Sequence, residues 1–80
     1  MSWTVYILEC SDKTLYTGIT NDMRSRFEKH AKGKGAKYTR GRSPLKLVYT
    51  EPHRTKSRAL KRELEIKSLP RSHKLRLCEK

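Results

Sequence analysis

Apolar and polar residues alternate from the start of the chain, and the alternation defines its first two elements. Residues 3–10 (Trp-Thr-Val-Tyr-Ile-Leu-Glu-Cys) and 14–20 (Thr-Leu-Tyr-Thr-Gly-Ile-Thr) are rich in β-branched and aromatic side chains, the composition of strands. Ser11-Asp12-Lys13 between them reads as a hairpin turn. Successive strand residues face opposite ways, so the loop length decides which side chains share a face. A three-residue loop gathers Trp3, Val5, Ile7, Leu15 and Ile19 on one face, and Tyr6, Leu8, Cys10, Tyr16 and Gly18 on the other. A two-residue loop would mix these sets. The three-residue loop is expected, and with it both tyrosines point the same way.

The period then changes from two to that of a helix. Asn21 or Asp22 can cap a helix running to about Ala31, with Met23, Phe27 and Ala31 as a narrow apolar stripe. Residues 32–44 read as a loop containing Gly33, Gly35, Gly41 and Pro44, followed by a third strand at residues 45–50. Thr55 or Ser57 starts a second helix through about Ser68, and Pro70 is well placed to open a short third one. The resulting order is β-β-α-β-α-α, an α/β (α+β) arrangement in which helices cover a small three-stranded sheet. Residues 1–80 are expected to form one domain, since no linker or internal repeat divides them.

Charge narrows the function. Twenty Lys and Arg against eight Asp and Glu give a net charge of +12. Such a field attracts polyanions, and counterion release from phosphates adds salt-dependent affinity for DNA or RNA. No stretch is long and apolar enough for a membrane span, and the N-terminus does not read as a signal peptide, so a cytoplasmic protein is expected. Cys10 and Cys78 lack any metal-ligand spacing and are expected as reduced thiols.

Chemistry enters through a misplaced acid. On the second helix Ala59, Leu60, Leu64 and Ile66 define an apolar arc, with Glu63 inside it and Glu65 on the opposite side. A carboxylate on a buried face must be paired, protonated or bound to a metal. An ion pair with one of the arginines is the plain structural alternative. Lys67 also falls in the arc but can extend outward from the helix end. On the first helix Arg26 and His30, four residues apart, are neighbours able to grip a phosphate and move a proton. Gly18 follows Tyr16 on the same strand face, where a missing side chain permits close approach of another backbone or a ligand.

These residues together resemble the GIY-YIG nuclease domain. Thr4-Val5-Tyr6 followed by Tyr16-Thr17-Gly18 is similar to its paired strand motifs. Arg26 and His30 resemble its helix motif, and Glu63 resembles its metal-binding glutamate. The resemblance spans residues 3–77 and is nearest to compact bacterial members that stand alone. Thr4 and Thr17 depart from the literal motif, but the tyrosines and Gly18 are in place.

The resemblance implies an endonuclease that hydrolyses phosphodiesters with one divalent metal, Mg²⁺ or Mn²⁺, held by Glu63. Tyr6 or Tyr16 would be the general base, Arg26 would stabilise phosphate charge, and His30 would bond a tyrosine or relay its proton. DNA is expected ahead of RNA, with selection by structure rather than sequence and a role in repair or recombination. The basic loop carries Lys32, Lys34, Lys37, Arg40, Arg42 and Lys46 around Tyr38, a composition suited to tracking a phosphate backbone while Tyr38 stacks on an unpaired base. Gly18 would admit the sugar-phosphate chain. The competing class is a non-catalytic basic module that binds nucleic acid, and the small size leaves room for a protein partner that targets the substrate.

Overall fold

The computed structural model describes residues 2–35, 37–42 and 44–79, the side chain of Lys37 excepted. β1 (Trp3–Glu9) and β2 (Leu15–Thr20) form an antiparallel hairpin in which Tyr6 opposes Gly18 and Leu8 opposes Tyr16. The loop between them is the three-residue form. The Cys10 amide donates to the Thr14 carbonyl at 2.9 Å, and Lys13 closes the turn at φ +70°. The face assignment follows, with Tyr6 and Tyr16 on the same side of the sheet.

β3 (Lys46–His53) pairs antiparallel with the other side of β1, giving the strand order β2-β1-β3. It runs three residues beyond the expected end at Thr50, through Pro52. Pro lacks a ladder donor, but an edge strand tolerates it. The register shifts at Ile7 and Leu8, which face Tyr49 and Leu47, so Val48 is the extra residue of a β-bulge.

α1 (Met23–Ala31) is capped by Asp22, whose side chain accepts from the Ser25 amide at 3.2 Å. Its inward residue is His30, fully buried, whereas Ala31 of the expected apolar stripe is exposed. The 32–44 connection contains a 3₁₀ turn at Lys37–Thr39, which the sequence pattern did not reveal.

α2 (Lys56–Lys67), capped by Thr55, packs across all three strands. Its buried residues are Ala59 and Ile66, which join Val5 and Ile7 in the core, with Trp3, Leu15, Ile19, Val48 and Tyr49 packed around them. Leu60 and Leu64 correct the sequence reading: they are 41% and 67% exposed. At about 100° per residue, Ala59 and Ile66 lie within some 20° of each other and form a seam. Leu60 and Leu64 stand about 100–140° away from it. Glu63 and Arg62 flank the seam on opposite sides, about 40° and 60° off. α3 (Arg71–Cys78) follows Pro70 and packs Leu77 and Cys78 onto the core. The order is β-β-α-β-α-α, as the periodicity indicates.

Candidate functional site

The face opposite the α2 core carries an aromatic and polar group rather than an apolar one. Tyr6 is buried at the centre of β1, with its ring centroid 6.2 Å from that of Tyr16 on β2. Tyr6 Oη lies 2.9 Å from His30 Nε2, and His30 Nδ1 lies 2.9 Å from Thr39 Oγ1. Tyr6, His30 and Thr39 are all excluded from solvent. Three polar residues from β1, α1 and the 3₁₀ turn therefore form one hydrogen-bonded chain under the surface.

Two glycines make that chain possible. A Cβ at Gly18 would stand 2.6 Å from Tyr6 Oη, so the phenol fills the space left by the missing side chain. The close approach read at Gly18 is therefore intramolecular, and Gly18 is buried beneath the tyrosine instead of open to a sugar-phosphate chain. A Cβ at Gly35 would stand 2.3 Å from His30 Nδ1, so that backbone closes directly over the imidazole. Gly35 and Thr39 were not singled out by sequence reasoning, because their partner is a histidine several residues away in the chain.

Charged groups act on this buried pair from outside. Burial, the Tyr16 hydroxyl and the Glu63 carboxylate push the Tyr6 phenol well above the usual tyrosine range, while the Arg26 guanidinium opposes them. Tyr6 is accordingly protonated and has a proton to donate. Burial, with the Arg26 charge, lowers the affinity of His30 for a second proton, so the imidazole is neutral. Arg26 and Glu63 thus reach the same phenol electrostatically from α1 and α2. Arg26 also lines a polar cleft of about 260 Å³ with Asn21, Ser25 and Lys29.

Glu63 owes its half-buried position to the Ala59–Ile66 seam beside it, not to Leu60 and Leu64. Its side chain is 15% exposed and pairs with Lys67 Nζ at 3.4 Å. The expected arginine partner is replaced by this lysine one turn along the helix. Glu51 gives the contrasting case among the described residues. Tyr49 Oη donates to it at 2.6 Å, His53 Nε2 lies 2.6 Å away, and Arg62 Nε donates to both oxygens at 3.0 and 3.3 Å. One carboxylate has its lone pairs occupied, and the other, among the described residues, is held by a single flexible ammonium. Among the described residues no three His, Cys, Asp or Glu side chains converge as a protein cage for a metal.

The basic loop divides into committed and uncommitted residues. Arg42 forms an ion pair with Asp12, donates to Thr14 Oγ1 at 3.3 Å and stacks over Tyr38, 4.4 Å from its ring centroid. Tyr38 in turn lies 5.8 Å from Tyr16, so a row of rings leads outward from the buried chain. Beside Tyr38 a cleft of about 190 Å³ is lined by Thr14, Leu15, Arg71 and Lys74, the last two from α3. Lys32, Lys34, Arg40 and Lys46 are exposed, and the side chain of Lys37 lies outside the described residues.

This fold and constellation have relatives. UPF0213 proteins of Staphylococcus aureus are 57% identical over 75 residues, covering 94% of this chain and 92% of the relative. The solution NMR structure of a UPF0213 protein from Bacillus halodurans matches with a TM-score of 0.63 at 51% identity, covering 99% of this chain and 84% of the other. A solution NMR structure from E. faecalis matches with a TM-score of 0.64 at 38% identity, over 92% and 79% of the two chains. The GIY-YIG catalytic domain model matches residues 2–76. With nearly its whole length accounted for, the chain belongs to the GIY-YIG family, a family of nucleases.

Proposed function

We propose that the protein is a metal-dependent endonuclease that hydrolyses phosphodiester bonds in DNA, selecting branched or interrupted duplexes by shape. The observation that carries this reading is the Tyr6 phenol, which bonds His30, lies beside the Tyr16 ring and feels the charges of both Arg26 and Glu63 from two different helices.

Glu63 fits a hydrated ion. Mg²⁺ keeps several waters and takes one or two carboxylates together with substrate phosphate oxygens, and a single half-buried glutamate supplies that need. Lys67 would yield its place on the carboxylate. Bound there, Mg²⁺ or Mn²⁺ would supply charge to stabilise the phosphate and leaving oxygens. Arg26 contributes a fixed positive charge toward the same phosphate and favours the ionised form of Tyr6. Either Tyr16 takes the proton of the attacking water, or Tyr6 does so while passing its own proton to the neutral His30 at Nε2, and pH–rate profiles of Tyr6→Phe and Tyr16→Phe separate the two. His30 holds the Tyr6 hydroxyl.

The exposed cations Lys32, Lys34 and Arg40, with Lys37, attract the backbone. Tyr38, braced by Arg42, offers a stacking surface next to the cleft with Arg71 and Lys74, which suits an unpaired nucleotide beside the scissile bond. This reading carries a cytoplasmic location, a role in DNA repair or recombination, one nuclease domain over residues 1–80, and a partner protein that narrows the choice of substrate.

The test incubates purified protein with branched, nicked and linear DNA, and with RNA, in Mg²⁺ or Mn²⁺. Wild type should cleave only with metal, and Glu63→Ala should lose on the order of 10³-fold in rate. Equal background cleavage by the two would end the enzyme reading. The pairing of Glu63 with Lys67 favours a second reading, a binding module without turnover. In that case affinity is salt-sensitive and indifferent to both metal and Glu63→Ala.

A further inference from the structure

His30 is a neutral imidazole with a partner at each nitrogen, and a neutral ring has one N–H and one lone pair. The partner on one side therefore constrains the partner on the other. Tyr6 and Thr39 both present hydroxyls, and a phenol is much the more acidic of the two. The stronger donor meets the ring lone pair and the alkyl hydroxyl accepts the ring N–H. Gly35 removes the ring's freedom to shift away from this arrangement, because its backbone lies against Nδ1 with no room for even a methyl group.

We propose that Thr39 and Gly35 are positioning residues, with Thr39 Oγ1 accepting the Nδ1–H of His30 and Nε2 thereby held as the acceptor for the Tyr6 hydroxyl. The 3₁₀ turn at Lys37–Thr39 thus does more than connect α1 to β3. It selects the histidine tautomer, and the tautomer selects where the Tyr6 proton points. The consequence for cleavage rests on the nuclease reading: with its proton turned toward His30, Tyr6 Oη presents lone pairs to the side shared with Tyr16. The tautomer itself does not depend on that reading.

The test is nitrogen-15 NMR of the histidine ring in the full chain without metal or nucleic acid. Wild type should have His30 protonated at Nδ1, with an acceptor-type Nε2. Thr39→Ser should keep this pattern. Thr39→Val, close in shape but without the hydroxyl, should move the proton to Nε2, since a buried Nδ1–H would otherwise lose its acceptor. An Nε2–H tautomer in wild type would overturn the proposal, as would a folded Thr39→Val with unchanged ring resonances. Should Thr39→Val not fold, the wild-type tautomer still decides.

A second readout separates positioning from structure. Where wild type cleaves DNA, Thr39→Val should reduce the rate on the order of tenfold and displace the pH profile, with Thr39→Ser restoring both. Failure of wild type to cleave under any condition would count against the nuclease reading while leaving the ring spectra to judge the tautomer.

Discussion

Arg62 and Glu63 are adjacent on α2, yet they serve two regions that differ in kind. Arg62 reaches toward β3, where Glu51 collects hydrogen bonds from Tyr49, Arg62 and His53. Glu63 lies on the other flank of the seam, where its charge acts on the Tyr6 phenol, and among the described residues it has Lys67 at 3.4 Å as its partner. The two carboxylates are buried to a similar degree, with side chains 22% and 15% exposed. Burial alone therefore does not mark a functional acid. What distinguishes them is saturation: Glu51 has no lone pair left to offer, and Glu63 does. A fully bonded carboxylate clamps helix to sheet, whereas an under-bonded one whose charge acts on the Tyr6 phenol is the one proposed to take a ligand.

The largest stability effect should come from the seam between them. Ile66→Ala empties a fully buried position and should cost about 2–5 kcal/mol in chemical denaturation, loosening both regions together. Arg62→Gln attacks only the clamp. Losing a partly solvated partner whose Nε–H is shared by both Glu51 oxygens should cost about 1–2 kcal/mol, a drop of several degrees in Tm for a chain of this size.

The clamp should also declare itself in acid. Burial pushes Glu51 upward, but the hydrogen bonds from Tyr49, His53 and Arg62 and the Arg62 charge outweigh it, so its folded pKa lies below the ordinary value of 4.5. A lowered folded pKa means stability that is complete above about pH 4.5 and lost as pH falls through the folded value. Thermal melts from pH 6 to 3 should therefore fall less steeply for Glu51→Gln than for wild type. The smallest effect should be at Leu64, where Leu64→Ala at a largely exposed position should stay within about 0.5 kcal/mol. A cost like that of Ile66→Ala would mean that α2 is rolled toward Leu64 and that the two regions are wrongly divided.

The same helix marks where sequence was informative and where it was not. Period-two alternation and the three-residue turn were enough to put Tyr6 and Tyr16 on one face, because strand geometry leaves no intermediate choice. Helix periodicity was less decisive. An arc drawn through every apolar residue of α2 included Leu60 and Leu64, and only packing against Val5 and Ile7 selects Ala59 and Ile66 as its inward seam. Glu63 flanks that seam, so its half-buried position was legible although the arc around it was not. Thr39 and Gly35 carried no local signal. Their roles come from closure of the connection over His30, a contact that no spacing rule encodes. Gly18 was legible as a close approach, but its occupant, the Tyr6 phenol from the neighbouring strand, becomes evident only from the register.

The most direct test of the division sets Glu63→Gln beside Glu51→Gln on one branched DNA substrate with Mg²⁺, reading single-turnover cleavage and thermal melting on the same preparations. Glu63→Gln should melt at or near the wild-type temperature and lose on the order of 10³-fold in cleavage. Glu51→Gln should melt lower and, while folded, cut within a few-fold of wild type. Wild-type cleavage by Glu63→Gln, or a folded Glu51→Gln as inactive as Glu63→Gln, would contradict the assignment of Glu63 as the acid that works.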